Sequence, residues 1–190
     1  MTAIMITGVG GQGTLLASRI IGGAAVASGL DVKLSEVHGM AQRGGNVVTY
    51  VKYGGGKVYS PVVGKGEADV ILAFELLEGY RALPFLKKGG RMILNEQRIT
   101  PVSILTKTES YPADILAEMK KKCVDFTSVD AHGIASSLGN ARAANVVLIG
   151  MLSAVSGIDK SIWLDALKAS VPKAHIDINI KAFEAGFAFM

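Results

Sequence analysis

The sequence predicts an α/β fold built on a mixed, mostly parallel sheet. An apolar run at residues 3–7 leads directly into a glycine-rich loop at residues 8–13. Apolar residues then recur at helical spacing over residues 14–27, Gly29 closes this helix, and residues 31–37 have the composition of a second strand. A strand, a helix and a second strand in this order form a β-α-β unit, which places two parallel strands in one sheet.

The sheet is expected to be mixed because a β-hairpin is predicted next. Residues 47–52 and 57–62 both have the composition of strands, and residues 53–56, Tyr-Gly-Gly-Gly, supply a glycine turn between them. A hairpin pairs its two strands in opposite directions, so it would add an antiparallel pair to the parallel unit.

The rest of the chain continues the alternation of strands and helices. No linker or internal repeat divides it, so a single domain over residues 1–190 is expected. Further strands are predicted at residues 68–74, 91–94, 102–106 and 124–129. Further helices are predicted at residues 75–86 with a bend at Pro84, 114–122, 131–156, 162–169 and from residue 179 to the end, with a polar turn at residues 87–90.

Composition excludes several classes of function. The net charge of +4 favours an anionic small molecule or an acidic partner surface and is too weak to indicate nucleic acid. The single cysteine, Cys123, cannot form a disulfide within the chain or supply the four ligands of an iron–sulfur cluster, so any cluster would lie on another polypeptide. His38, His132 and His175 lack the spacing of metal ligands, and no metal site is predicted.

No segment has the pattern of a membrane anchor or a signal peptide. The longest apolar tract, residues 143–155, is interrupted by polar residues and is shorter than the ~20 residues that a spanning helix needs. The first residues lack the basic region of a signal peptide. We therefore expect a cytoplasmic protein that does not contact a membrane.

The first glycine cluster has the spacing G-x-G-x-x-G at Gly8, Gly10 and Gly13. It lies between a predicted strand and a predicted helix, where unpaired backbone amides and the helix dipole attract a phosphate. Glu36 follows Gly13 at about the distance of an acid that binds a ribose, which is ~20 residues in dinucleotide-binding folds. NAD or FAD binding is one interpretation. The others are close packing of strand and helix, or a loop that contacts an anion or a partner.

A second glycine-rich segment, residues 36–45, argues against an ordinary dinucleotide-binding fold. Such a fold would continue with a short loop and a helix, whereas this segment is a long loop that carries an acid, an imidazole, an amide and a guanidinium. His38 is a candidate proton carrier and Arg43 a candidate clamp for a carboxylate or phosphate. A structural role for either residue is the alternative.

Polar residues also interrupt the long apolar helix predicted at residues 131–156. Asn140, Arg142 and Asn145 lie along it, and Asn145 is surrounded by apolar residues, so its amide is expected to be buried and to need a partner. That partner is either a helix cap or neighbouring helix, or a ligand at a site. Cys123 follows three lysines but has no candidate base beside it, and we interpret it as structural.

Together, these motifs resemble a known family. Gly8-Val9-Gly10-Gly11-Gln12-Gly13, followed by Ser35-Glu36-Val37-His38-Gly39-Met40-Ala41-Gln42-Arg43-Gly44-Gly45, is similar to the gamma-type subunits of 2-oxoacid:ferredoxin oxidoreductases. The second segment is most similar to that of the family members that act on indolepyruvate. The resemblance covers the whole chain, including the late Gly-Asn-x-Arg-x-x-Asn helix.

The resemblance implies a fold and an activity. The fold would be a three-layer α/β/α domain with a Rossmann-like glycine loop, of the pyruvate-ferredoxin oxidoreductase domain III type. The activity would be that of a complex which oxidatively decarboxylates a 2-oxoacid, passes electrons through iron–sulfur clusters to ferredoxin, and forms an acyl-CoA. Thiamine diphosphate and the clusters would be bound by a large partner subunit, with CoA as co-substrate, and this chain alone would be inactive.

The resemblance also implies where this chain contributes to that complex. Its two glycine loops would meet the partner near the substrate or CoA, with His38, Arg43 and Asn145 as contributors. The expected contact residues of the loops are Gly8, Gly10, Gly11, Gln12, Gly13, Gly44 and Gly45. The alternatives are a free-standing NAD- or FAD-dependent oxidoreductase, and a binding module that has lost the complex. An isolated subunit would expose its partner surface and could form a homodimer.

Overall fold

A computed structural model of the chain describes residues 1–38, 45–100, 111–122 and 125–190, and for His38 it describes the backbone alone. These residues form six strands: β1 (Thr2–Val9), β2 (Asp31–His38), β3 (Asn46–Gly54), β4 (Ala68–Ala73), β5 (Leu86–Asn95) and β6 (Phe126–Val129). They also form seven α-helices: α1 (Thr14–Ala27), α2 (Leu76–Ala82), α3 (Ile115–Lys121), α4 (Ala131–Ser137), α5 (Ala144–Val155), α6 (Lys160–Ser170) and α7 (Ile176–Phe189). Short 3₁₀ helices lie at Leu83–Phe85, Ala141–Ala143 and Lys173–His175.

The six strands form one sheet in the order β2-β3-β1-β4-β5-β6. β3 is antiparallel to both of its neighbours, β2 and β1, whereas β1, β4, β5 and β6 are mutually parallel. Two antiparallel pairings in succession leave β2 running in the same direction as β1. The predicted mixed, mostly parallel sheet and the predicted β-α-β unit are therefore confirmed, with β3 inserted between the two strands of that unit.

The source of the antiparallel pairing differs from the prediction. Residues 57–62 form no strand, so the hairpin predicted at residues 47–62 is wrong; β3 pairs with β2 instead. The N–H of Val58 donates to Asp31 Oδ2 at 2.7 Å and thereby lowers the pKa of Asp31, while the side chain of Tyr59 is 83% exposed. Pro61, which has no N–H to donate, also disfavours a strand here.

Helices cover both faces of the sheet, as a three-layer fold requires. The face that carries Ile4 and Ile6 packs against α1, α4, α5, α6 and α7, and the face that carries Met5 and Ile71 packs against α2 and α3. Adjacent residues of β1 belong to different cores because successive side chains of a strand point to opposite faces. No helix of the described residues is long and apolar enough to cross a membrane.

The long helix predicted at residues 131–156 is in fact two helices, α4 and α5. Gly139 adopts φ +97°, its N–H donates to Ser136 O at 2.9 Å, and the N–H of Asn140 donates to Ala135 O at 3.0 Å. This is the Schellman arrangement that ends a helix at a glycine. Asn140 Oδ1 then accepts from the N–H of Arg142 at 3.1 Å and starts the 3₁₀ turn that leads into α5. The break therefore sets where α5 begins.

Two further boundaries differ from the prediction. The helix predicted at residues 75–86 ends at Ala82, and Pro84 lies in the following 3₁₀ turn. The polar turn predicted at residues 87–90 is part of β5, where the register shifts between Ala68 and Val70 of β4 and Gly89 adopts φ +78°. The strand predicted at residues 102–106 and Cys123 lie outside the described residues.

The crossing of α5 and α7 depends on two glycines. A Cβ atom at Gly186 would overlap Val147 O, and a Cβ atom at Gly150 would overlap Phe183 O. The two backbones therefore approach more closely than any side chain allows. Since α5 carries Asn145, this packing fixes the position of a predicted site residue.

We expect the substitution Gly186→Ala to destabilise the protein. In an ordinary helix interior, replacing glycine with alanine stabilises the helix by about 1 kcal/mol. A loss of stability would therefore indicate that the close crossing requires glycine. Here the added methyl group would force the helices apart, at a cost of about 1–3 kcal/mol or more. Unfolding in urea measures the difference. Gly55→Ala is the control, since a Cβ atom there meets no atom within 4 Å. A Gly186→Ala protein as stable as the wild type would contradict this account of the crossing.

Candidate functional site

The candidate site lies at the carboxyl ends of the parallel strands, between β1 and β4. From β1 the chain passes through α1 to β2, which lies toward one end of the sheet. From β4 it passes through α2 to β5, which lies toward the other end. Such a switch in direction leaves a crevice outside the strand ends, where α/β proteins bind their ligands. The glycine loop of residues 10–13 lines this crevice.

The glycine loop is held in shape by its own glutamine side chain. Gly11 and Gly13 adopt φ values of +98° and +82°, and Gly13 is the N-cap of α1. The Gln12 side chain turns back, so that the N–H of Val9 donates to Gln12 Oε1 at 2.7 Å. A Cβ atom at Gly8 would lie 2.7 Å from the same oxygen, so this arrangement requires glycine at position 8.

The glutamine also joins the loop to the next two strands through a network of amides. Gln12 Nε2 donates to Phe74 O at 2.9 Å and to Gln97 Oε1 at 3.0 Å. Asn95 Nδ2 donates to the same two oxygens, at 3.0 and 3.4 Å. Asn95 Oδ1 accepts from the N–H of Ala131 at 3.2 Å, which ties the start of α4 to the network. The ends of β1, β4 and β5 are thus linked.

Asn145 approaches the loop from the first turn of α5. Its Nδ2 lies against Gly13, where a Cβ atom would overlap it. The side chain is buried, and its Oδ1 has no hydrogen-bond partner among the described residues. The helix cap or interhelical hydrogen bond that was one interpretation of Asn145 is therefore not observed in the described part of the chain. The structure instead brings Asn145 to the glycine loop.

A cavity of about 250 Å³ opens between the glycine loop, the end of β5 and the start of α5. No carboxylate of the described residues lines it. The guanidinium of Arg142 is exposed and makes no ion pair with the described residues, and His132 is also exposed. The lining residues are Gly11, Gln12, Gly13, Phe74, Asn95, Gln97, His132, Ala141, Arg142, Ala144, Asn145 and Leu148.

A buried carboxylate supports the wall of this cavity. Glu75, the N-cap of α2, accepts from the N–H of Glu78 at 2.9 Å, the N–H of Ile99 at 3.1 Å and the hydroxyl of Tyr111 at 2.8 Å. Burial, and then the hydrogen bond to this carboxylate, raise the pKa of Tyr111 well above its usual value. The N–H of the following residue, Leu76, donates to Gln97 O at 3.0 Å. Glu75 and Leu76 together hold the segment that carries Gln97.

The structure brings most of the predicted loop residues together. Gly8 lies near the end of β1, and Gly10, Gly11, Gln12 and Gly13 form the loop that follows it. The N–H of Gly10 donates to Gly45 O at 3.1 Å, so the end of the second glycine segment reaches the first. Arg43, Gly44 and the side chain of His38 lie outside the described residues.

The structure does not bring the predicted ribose-binding acid to the loop. Glu36 is at the end of β2, and β3 lies between β2 and β1. Neighbouring strands are ~4.8 Å apart, so Glu36 is about 10 Å from the strand that carries the loop. In a dinucleotide-binding fold the corresponding strand is adjacent to β1. The 23-residue spacing was therefore misleading.

Sequence reasoning missed Asn95, Gln97 and His132. The available signal was their position, because Asn95 and Gln97 directly follow the buried strand predicted at residues 91–94 and so come to the carboxyl edge of the sheet. No group of three or more His, Cys, Asp and Glu side chains in the described part of the chain could hold a metal ion.

Comparisons with known proteins agree with this fold. Residues 3–189 match the family described as pyruvate ferredoxin/flavodoxin oxidoreductase. The indolepyruvate oxidoreductase subunit IorB of Thermococcus kodakarensis is 43% identical, over 96% of this chain and 93% of the relative. That of Pyrococcus horikoshii is 42% identical with the same coverage.

Solved structures are also similar. The gamma subunit of a keto/oxoacid ferredoxin oxidoreductase from Geobacter sulfurreducens has a TM-score of 0.74 at 26% identity, over 99% of this chain and 97% of that one. The 2-oxoglutarate:ferredoxin oxidoreductase of Magnetococcus marinus has a TM-score of 0.76 at 20% identity, and this chain covers 98% of its own length but 30% of that longer chain. At that identity the similarity is one of fold.

Removing the Tyr111 hydroxyl should weaken the support of the cavity. Tyr111→Phe leaves the buried Glu75 carboxylate with one donor fewer, and a hydrogen bond to a charged group contributes about 1.5–3 kcal/mol. We expect the free energy of unfolding at pH 7 to fall by about that amount. Tyr59→Phe, at an exposed tyrosine, is the control and should change nothing.

The loss should depend on pH with a defined sign. Because folding raises the pKa of Tyr111, its stabilising contribution is complete below the unfolded tyrosine pKa of about 10 and is lost as the pH rises through the folded pKa. The stability difference between the wild type and Tyr111→Phe should be constant from pH 7 to 9 and shrink above that range. A difference that grows with pH would contradict the assignment.

Proposed function

The chain belongs to the pyruvate ferredoxin/flavodoxin oxidoreductase family, and from this premise we propose that it is the cluster-free subunit of a 2-oxoacid:ferredoxin oxidoreductase. The observation that carries the proposal is similarity along nearly the whole chain to proteins of similar length that are named as subunits of such enzymes. The chain acts with a larger partner, and the complex oxidatively decarboxylates a 2-oxoacid to an acyl-CoA, with CoA as co-substrate and ferredoxin as electron acceptor.

Indolepyruvate is the 2-oxoacid that we propose as substrate. Relatives at 36–43% identity are named for indolepyruvate, whereas relatives named for 2-oxoglutarate or ketoisovalerate are 27–29% identical. The higher identity thus favours indolepyruvate over the other 2-oxoacids within a single family. Measuring the activity of the complex with each 2-oxoacid decides between them.

Thiamine diphosphate and the iron–sulfur clusters are proposed to lie on the partner. A diphosphate is bound with Mg²⁺, which takes carboxylate ligands, and among the residues that the structure describes no carboxylate lines the cavity beside the glycine loop. One cysteine in the whole sequence cannot supply a four-cysteine cluster. The described residues of this chain thus do not fit the first group and its sequence does not fit the second, which supports the proposal that electron transfer and the chemistry at thiamine belong to the partner.

The part of this chain that faces the partner is proposed to be the edge at the glycine loops. Gly8, Gly10, Gly11, Gln12 and Gly13 form a shaped surface there, and Asn145 joins it from α5. Gly45, the last residue of the second glycine segment, accepts a hydrogen bond from the N–H of Gly10. The rest of that segment, which includes His38, Arg43 and Gly44, is proposed to belong to the same edge. These residues would contact the partner close to the substrate or CoA.

Affinity purification of the tagged chain from its own lysate, without oxygen, tests the proposed assembly. We expect a brown, cluster-containing partner that reduces a viologen dye when indolepyruvate and CoA are supplied. Activity with pyruvate or 2-oxoglutarate but not with indolepyruvate would reassign the substrate. A colourless protein that purifies alone, with nicotinamide or flavin bound, would contradict the proposal and favour a free-standing oxidoreductase.

Arg43→Ala in the assembled complex tests the role of the second glycine segment. If the guanidinium clamps an anionic group of substrate or CoA, its loss removes a charge-assisted hydrogen bond, and kcat/KM should fall by about tenfold or more. Arg19→Ala, at an exposed position of α1, removes the same charge away from the proposed edge. Equal kinetics for the two variants would rule out the clamp.

A further inference from the structure

β2 lies at one end of the sheet, and no strand of the described residues pairs with its outer side. It pairs with β3 along all eight of its residues without a register shift, so its outer side is a long and regular row of backbone groups. Proteins usually protect such an edge with a proline, a bulge, clustered lysines or a short strand. β6, at the other end of the sheet, has four residues, whereas β2 is twice as long and contains no proline and one lysine.

Apolar side chains are exposed along the same side, on both faces of the sheet. Leu34 is 45% exposed and lies against Gly22 of α1, while Val37 points to the other face and is 53% exposed. Val26 follows Gly22 by one helical turn on the same side of α1 and is 62% exposed. These three side chains and the backbone of β2 form what we call the β2 edge. Unpaired backbone groups flanked by exposed apolar side chains are typical of an interface.

The geometry of an antiparallel sheet limits how β2 could pair with a second copy of itself. Two copies related by a two-fold axis perpendicular to the sheet run in opposite directions. Residues that lie opposite each other must point to the same face, so the axis has to pass through a residue that is paired with its own equivalent. Each choice of the central residue therefore gives one register.

The sequence of β2 favours a register centred on Leu34. An axis at Lys33 would set two lysines opposite each other, and an axis at Glu36 would set two glutamates opposite each other, and like charges in that position are destabilising. An axis at Ser35 would give no apolar pair. An axis at Leu34 sets the two leucines opposite each other and Lys33 opposite Ser35, so the strand is complementary to itself.

The β2 edge is also large enough for a specific interface. Eight residues of a strand are about 26 Å long, and the sheet with the α1 layer is about 20 Å thick at this edge. Each copy would therefore bury about 500 Å² and the pair about 1,000 Å², which is the lower limit for a specific interface between proteins. An interface of this size predicts a reversible dimer.

We infer that two copies of this chain associate through the β2 edge, by antiparallel pairing of β2 with β2 of the second copy about an axis at Leu34, which joins two six-stranded sheets into one. The inference goes beyond the proposed function. The glycine loops lie at the carboxyl ends of the strands, whereas this pairing uses the side of the sheet, so both contacts can exist in one complex.

Sedimentation velocity of the isolated full chain over a wide range of concentration tests the inference. We expect an equilibrium between a monomer and a dimer. Leu34→Lys replaces the apolar pair at the axis with two opposed positive charges, and should raise the dissociation constant of the dimer by about tenfold or more. Phe189→Lys, at the end of α7, is the matched control, because Phe189 is 48% exposed and lies outside the β2 edge. It should dimerise as the wild type does.

Two further experiments test the partner and the register. Leu34→Glu alone should dimerise as weakly as Leu34→Lys, whereas a mixture of the two variants should form a dimer, since opposite charges then face each other. Recovery in the mixture would also show that both variants fold.

In a chain with Cys123→Ser, Leu34→Cys should form a covalent dimer on oxidation, since opposed Cβ atoms are about 5 Å apart. Ser35→Cys is the control and should react slowly, since its equivalents would be diagonal neighbours about 7–8 Å apart. Faster reaction of Ser35→Cys would overturn the register.

The inference is overturned if the wild-type chain stays monomeric at every concentration, or if Leu34→Lys dimerises like the wild type. A monomeric chain whose Leu34→Lys variant no longer recovers the cluster-containing partner would assign the β2 edge to that partner instead. Failure of the proposed function is recorded separately, by the absence of any partner in the affinity purification of the wild-type chain.

Discussion

The amide of Gln12 is the interaction on which the site depends. Its oxygen closes the glycine loop on the N–H of Val9, and its nitrogen bonds Phe74 O and Gln97 Oε1, so one side chain connects the ends of three strands. The connection requires glycine at position 8, because a methyl group there would displace the oxygen. In a dinucleotide-binding loop, glycines leave room for a pyrophosphate. Here the side chain of the loop itself fills part of that room, so a similar sequence motif builds a different surface.

A second constraint brings α5 to this surface. The glycine at position 139 ends α4, Asn140 starts the turn that leads into α5, and the close crossing with α7 fixes the direction of that helix. As a result Asn145 lies against Gly13 of the glycine loop, and Arg142 lines the same cavity. The chain thus supplies an edge rich in amide side chains, and its single cysteine cannot provide the four ligands of an iron–sulfur cluster. Both features suit the proposed role of a subunit that shapes an active site whose cofactors are held elsewhere.

The sequence predicted the first β-α-β unit well because its signals are local. The apolar run, the positive-φ glycines and the helical spacing each act within a few residues, and α1 begins and ends at the predicted residues. Pairing between strands is a long-range property, so the sequence pattern did not reveal that β3 lies between β1 and β2. It predicted a hairpin between residues 47–52 and 57–62 instead. The break at Gly139 could have been predicted, since glycine commonly ends a helix and asparagine commonly begins one. The role of Gln97 could not be predicted, because it depends on hydrogen bonds with two other amides. Gln12 is distant in the sequence, and the position of Asn95 is fixed by the sheet.

We propose that the edge at the glycine loop faces the partner subunit. Hydrogen–deuterium exchange of the chain alone and in the purified complex tests it directly, because backbone amides that become buried in an interface exchange more slowly. The account predicts slower exchange in the complex for peptides that cover residues 8–16 and 139–146, with no change at residues 87–90 on the opposite edge of the sheet. Protection confined to that opposite edge, with the glycine loop unchanged, would contradict it.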